Sequence, residues 1–300
     1  MARSDNLTGA LLMMASMAAF TLNDTCMKAL AGEIPLFQLL FLRGVLTTIF
    51  IGIAAWRMGV LRARISRRDW GLIGLRMIAE IGAAYFFLTA LFNMPLANVT
   101  AILQALPLTI TLTAALLFRE SIGWRRMSAI LIGFVGVMLI VRPGAEDFTI
   151  YSFYTLAAVA CVTLRDLSTR RLSRETPSMF VTFITSISIM AFFGLAGIGD
   201  DWAPMDTRAL VLTFGAAIMI IGGYLFSIMV MRVGEISFIA PFRYTGLIWA
   251  LGLGWLVFGD WPATITLIGA SIVVGSGLFM LYREAKIGRK THHSHVPRPR

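Results

Sequence analysis

Apolar residues run through this chain in long blocks separated by short polar turns. Blocks of about 20 residues, enough to cross a hydrocarbon core of roughly 30 Å, lie near 7–30, 36–56, 71–92, 97–118, 127–142, 151–169, 178–198, 208–231, 236–258 and 263–282. They predict ten transmembrane helices, with the fifth and sixth the shortest. The turns between them are short, so successive helices must be antiparallel neighbours, and little chain is left for a soluble domain. The first block is too long for a signal peptide, carries Asp24 and Lys28, and lacks a small-residue cleavage site. It reads as a retained helix.

Polar positions repeat across the midpoint. TLNDTCMKALAGEIP, from Thr21, aligns with TLRDLSTRRLSRETP, from Thr163, at a constant offset of 142. The pairs are Thr21/Thr163, Leu22/Leu164, Asp24/Asp166, Leu30/Leu172, Glu33/Glu175 and Pro35/Pro177, and Lys28 pairs with another cation, Arg170. A second stretch aligns at an offset of 139, with Tyr85, Phe87, Ala101 and Gln104 matching Tyr224, Phe226, Ala240 and Arg243. Five spans is an odd number, so duplicating them in sequence gives two halves of opposite orientation. Inverted halves of this kind hold a substrate near the midplane between them. The expected fold is an all-α membrane protein of ten transmembrane helices, built as two inverted five-helix repeats at 1–145 and 146–285. A disordered cytoplasmic tail, 286–300, follows and holds all three histidines.

Composition agrees: 58% of residues are hydrophobic and only 14% charged, too apolar for an ordinary soluble domain. The net charge of +10 could point to nucleic acid, but its distribution points elsewhere. With ten spans and a cytoplasmic N-terminus, nineteen of the 26 Lys and Arg fall in cytoplasmic segments. These are Arg3, Arg57, Arg62, Arg64, Arg67, Arg68, Arg119, Arg125, Arg126, Arg170, Arg171, Arg174, Arg232, Arg283, Lys286, Arg289, Lys290, Arg298 and Arg300. The opposite turns, such as AGEIP, NMPLAN and GDDWAPMD, are neutral or acidic. Both termini are therefore expected in the cytoplasm, and no nucleic-acid partner is implied. Cys26 and Cys161 lie in apolar spans, which leaves no disulfide framework or CxxC metal site.

The Asp–Lys/Arg–Pro pattern on spans one and six resembles the drug/metabolite transporter superfamily, EamA-type. So do ALFNMPLANVTAILQALPLTITLTAALLFRE across spans three and four and the glycine-rich fifth and tenth spans. In length and layout the chain is most similar to YddG-type bacterial amino-acid exporters. The resemblance implies a ten-helix protein of the bacterial inner membrane that exports small metabolites, such as aromatic or other apolar amino acids. It implies no cofactor. The halves differ, with Gly246 where the first has Pro107 and FGDWP in place of FRESIGW, so the cavity is expected to be asymmetric.

Charges inside apolar spans are costly and mark either a pathway or a structural pair. Glu80 lies about 16 Å along its helix from Asp69, near mid-bilayer, with Arg76 one turn before it. It reads as a proton-sensitive or substrate-binding group, or as half of an Arg76–Glu80 packing pair. Arg43 could hold a substrate carboxylate, or bind a backbone carbonyl or Glu80. Gln104, Arg243 and Tyr244 offer hydrogen bonds to a zwitterion, Arg243 being suited to a carboxylate, or tie helices together. Tyr85 and Trp249 could line the cavity, or simply pack. Asp24 with Lys28, and Asp166 with Arg170, stand one turn apart at opposite membrane faces. They read as alternating gates or as helix-end ion pairs. Arg165 can snorkel to the cytoplasmic surface and is not assigned a site.

These readings converge on a secondary transporter working by alternating access, with ten helices enough to enclose a pathway in one chain as a monomer. An intramembrane enzyme would need a constellation such as HExxH or paired aspartates. No histidine lies in the spans, and their aspartates sit at opposite ends. A receptor or scaffold without transport would explain the helices but not the repeat.

Overall fold

A computed structural model describes residues 2–118, 123–143, 149–230, 233 and 236–293, and no strand occurs among them. The helices are α1 (Ala2–Lys28), α2 (Leu36–Arg57), α3 (Arg67–Asn93), α4 (Leu96–Leu103), α5 (Leu106–Phe118) and α6 (Trp124–Val141). After them come α7 (Ile150–Arg170), α8 (Ser178–Ala196), α9 (Thr207–Val230), α10 (Ile236–Ile239), α11 (Thr245–Phe258) and α12 (Thr264–His293). A membrane supplies no water to hydrogen-bond peptide groups, so a chain this apolar must satisfy them within helices. Prolines set several starts: Pro35, Pro95 and Pro177 stand just before α2, α4 and α8. Ser66 caps α3, its hydroxyl accepting from the Asp69 amide at 3.1 Å.

Among the described residues, nine segments are long and apolar enough to cross a membrane. They correspond to nine of the ten expected blocks. The exception is 236–258, which is divided into α10, a 3₁₀ turn at Ala240–Tyr244 and α11, so that no single helix there has the full length. The fourth block is also interrupted, between α4 and α5. At the carboxyl end, α12 runs to His293, so helix extends into the first part of the stretch expected to be a disordered tail. Residues 294–300 lie outside the described residues.

Four helix pairs carry most of the packing: α1 with α9, α2 with α8, α3 with α7, and α6 with α12. Each is antiparallel. Along α1 and α9, for example, Ser16 bonds the Gly223 carbonyl at 2.8 Å, while Arg208 reaches Glu33 at the far end. Lipid is as apolar as leucine, so packing of small residues and hydrogen bonds must hold such pairs. At the α6–α12 crossing the two backbones touch. A Cβ on Gly136 would lie 2.7 Å from the Gly269 carbonyl oxygen, and one on Gly269 would lie 2.6 Å from that of Gly136. Gly269→Val must therefore push the helices apart, and should cost about 1–3 kcal/mol. Thermal unfolding in detergent should show a lowered midpoint, with Gly252→Ala, which meets no neighbour within 4 Å, as the unchanged control.

The outer surface is lined with exposed Ile78, Leu116, Leu195, Ile248 and Leu256. Apolar surface on this scale, all round a helical bundle, faces lipid rather than water. Trp56, Trp124 and Trp261 stand exposed near helix ends, as an interfacial belt requires.

Candidate functional site

The two interrupted blocks meet at one cavity. Pro107 has no N–H to offer the carbonyl of Leu103, one turn earlier, so the α-helical ladder fails there. The amides of Gln104 and Ala105 bond back instead to Ala101 and Ile102, at 3.2 and 3.0 Å. In the second half, Pro241 sits in the 3₁₀ turn that carries Arg243 and Tyr244. Gln104 and Arg243 thus both stand at a helix interruption, 139 residues apart.

Around these turns lies a cavity of about 350 Å³. Its walls come from α1 (Met17, Phe20, Thr21, Asp24), from α4 and α5 (Gln104, Pro107, Thr111), from the 3₁₀ turn and Gly246, and from Met280 on α12. Asp24 and Arg243 are its charged lining residues. Tyr244 is 7% exposed, and its hydroxyl is buried without a hydrogen-bond partner. That hydroxyl rests on Gly277 of α12, where a Cβ would lie only 1.6 Å from it. Glycine at 277 is what lets the tyrosine occupy this place.

A second, smaller chamber of about 60 Å³ lies among α2, α3, α8 and α9, lined by Arg43, Arg76, Glu80, Thr185 and Tyr224 among others. Glu80 is the hub of its charges. Arg165 on α7 donates to Glu80 at 3.1 Å and to Asp166 at 2.8 Å, and Arg76 approaches Glu80 at 3.8 Å. Arg76 also donates to Thr169 and, at 3.4 Å, to Thr185. On the other side of the chamber, Arg43 donates to Asn23 Oδ1 at 3.1 Å, and the Asn23 amide donates to Asp24 at 2.8 Å.

The residues singled out in the sequence are therefore divided. Gln104, Arg243 and Tyr244 share the large cavity, whereas Glu80 and Arg43 line the small chamber. Tyr85 packs in an aromatic cluster with Phe37, Phe86 and Tyr154 and borders neither. Trp249 is 40% exposed on the outer side of α11. The inward stripe of that helix is Gly246, Ala250 and Gly254, at four-residue spacing, and Trp249 lies off it.

One of the charge pairs read at the membrane faces, Asp24 with Lys28, needs correction too. Lys28 does not pair with Asp24 one turn away: its ammonium donates to the carbonyls of Leu91 and Met94, at 3.0 and 2.7 Å, and lies over the Phe258 ring. These are free carbonyls at the end of α3, where a cation is favoured. Asp166 is bonded to its neighbour Arg165 at 2.8 Å. Arg165, set aside as a snorkelling residue, is the centre of the network. The repeat held a signal for it, since Arg165 stands opposite Asn23, and each bonds the aspartate that follows it.

A helical bundle with a lipid-facing surface and an internal cavity is the architecture of a multi-pass membrane protein. Residues 7–142 match the EamA-like transporter family. The chain is 29% identical to a riboflavin transporter of Vibrio cholerae over 76% of each chain. It is 24% identical to an S-adenosylmethionine uptake transporter of Rickettsia conorii over 96% of this chain and 97% of the other. The pseudopaline exporter of Pseudomonas aeruginosa is also 24% identical, over 89% and 93%. A solved crystal structure superposes with a TM-score of 0.62 at 21% identity, covering 95% of this chain and 99% of that one, which extends the likeness of fold to nearly the whole chain. Together these findings make the chain similar to membrane transporters of small metabolites, with residues 7–142 resembling the EamA-like family. The finer resemblance to amino-acid exporters has no counterpart among these relatives.

Proposed function

We propose that the protein is a secondary transporter of the bacterial inner membrane that exports small zwitterionic metabolites, amino acids with apolar side chains among them. Both termini lie in the cytoplasm, and one chain encloses the pathway. The carrying observation is the cavity of about 350 Å³ at the meeting of two interrupted helices, with Gln104, Arg243 and Tyr244 around it. Interruptions at corresponding positions of two halves favour a midplane binding site. The packing pattern supports inverted repeats: exchanging the halves turns the α3–α7 pair into the α9–α1 pair and maps α2–α8 and α6–α12 onto themselves. The two halves then rock about the cavity and expose it alternately. Relatives named for riboflavin, S-adenosylmethionine and pseudopaline share small metabolites as cargo, and they include both uptake and export.

Coupling to protons through Glu80, which lines the smaller chamber and pairs with Arg165, is the part of this reading that a pH gradient tests. Purified protein in liposomes, given a panel of labelled amino acids with and without a pH gradient, tests both statements. Wild type should carry at least one substrate faster down a proton gradient, and Glu80→Gln should lose that dependence while retaining gradient-independent exchange. Flux indifferent to the gradient, together with full activity in Glu80→Gln, would remove proton coupling. Absence of flux for every substrate in both directions would remove transport itself.

A further inference from the structure

We infer that Asp24 determines the specificity of the large cavity by receiving the ammonium group of the substrate. The inference rests on the transporter reading above and adds a substrate class to it. The two copies of the repeated motif show why. Asp166 is neutralised by its neighbour, Arg165, at 2.8 Å. Asp24, its counterpart, takes its side-chain hydrogen bond among the described residues from the neutral amide of Asn23, also at 2.8 Å. Arg43 stands on the far side of that amide. Lys28, one turn on, is committed to the Leu91 and Met94 carbonyls. Among the described residues, Asp24 therefore forms no direct ion pair, and it lines the cavity.

Its surroundings in that wall leave the charge to a ligand. Met17 and Phe20 are apolar, and the Thr21 hydroxyl donates to the Met17 carbonyl at 2.8 Å. The other charged lining residue is Arg243, with opposite sign, on the 3₁₀ turn. The buried, unpartnered Tyr244 hydroxyl beside it is a further polar group that a ligand can satisfy. A cavity with one carboxylate, one guanidinium and otherwise mostly apolar walls fits a molecule with an ammonium end, a carboxylate end and an apolar body. A ligand without the ammonium leaves Asp24 shut in without a counter-charge, which is how a site rejects an analogue that lacks one polar group.

The test is competition against substrate flux in proteoliposomes, with phenylalanine, 2-phenylethylamine, 3-phenylpropionate and riboflavin as probes. The first three share a body and differ in their charged ends, while riboflavin carries neither ammonium nor carboxylate. Wild type should prefer phenylalanine to 3-phenylpropionate by at least about tenfold. Asp24→Asn should lose at least about tenfold in apparent affinity for phenylalanine and 2-phenylethylamine, with 3-phenylpropionate unchanged. Asp24→Glu should keep the preference. Equal weakening of every probe in a protein that melts like wild type would assign Asp24 a gating or structural role and overturn the inference. So would unaltered affinities in Asp24→Asn. Should that variant fail to fold, wild type decides alone: amine-free probes competing as well as phenylalanine overturn the inference. Wild type that moves riboflavin but no amine-bearing probe overturns it and leaves the transporter reading standing, whereas wild type that moves nothing defeats that reading first.

Discussion

Arg165→Met should destabilise the protein by roughly 3 kcal/mol, because it leaves two carboxylates in the bundle without their main partner. Arg165 holds Glu80 at 3.1 Å and Asp166 at 2.8 Å, and the remaining cation near Glu80, Arg76, approaches only to 3.8 Å. The figure is set at the lower end of the range for broken buried pairs because Arg165 and Asp166 keep 24% and 31% exposure. Thermal unfolding in detergent should show a clear drop in midpoint. The arrangement also fixes what a second substitution does. Glu80→Gln added to Arg165→Met removes one orphaned charge and should recover part of the loss, so the two effects should not add. If the single variant melts like wild type, the Glu80–Arg165–Asp166 network contributes nothing to the fold.

Gly246→Phe should abolish transport while leaving the fold intact. Gly246 lines the large cavity, and a Cβ there finds its nearest neighbours in Met17 and Gln104, at 3.6 Å or more. That is ordinary contact distance, so Gly246→Ala should fold and transport normally. A benzyl group extends from the same point into the space between α1 and the end of α4, where the substrate is placed. The expected loss of flux exceeds about tenfold, since filling a concave site removes the volume that buries the ligand. Ligand-induced thermal stabilisation should disappear in the Phe variant and persist in the Ala variant, with the ligand-free midpoints alike.

The class of fold was legible in the sequence because its signals are long. Blocks of about 20 apolar residues survive local exceptions. Nine of the ten blocks appear as segments long enough to span a membrane, and two blocks, 97–118 and 236–258, are interrupted. The two interruptions were less legible because Pro107 and Pro241 could equally be tolerated as kinks in unbroken helices. Gln104, Arg243 and Tyr244, which border one cavity, drew notice because polar groups near mid-bilayer stand out against apolar neighbours. Trp249 was misplaced because helical phase restarts after the 3₁₀ turn, and spacing counted across that turn misses the rotation. Arg165 was missed for a different reason. Distance along one helix shows how near a residue lies to the membrane face, but not that Glu80 waits on the neighbouring helix. The same limit applies to Lys28, whose acceptors are the carbonyls of Leu91 and Met94 and leave no side-chain signature.

The most direct test of the account is the flux of labelled substrate through wild type, Gly246→Ala and Gly246→Phe reconstituted side by side at equal density in liposomes. The expected result is saturable flux in wild type and Gly246→Ala, in both directions of the gradient, and background leakage in Gly246→Phe. Wild-type flux through Gly246→Phe would contradict the account, because the substrate would then be crossing by a route other than this cavity.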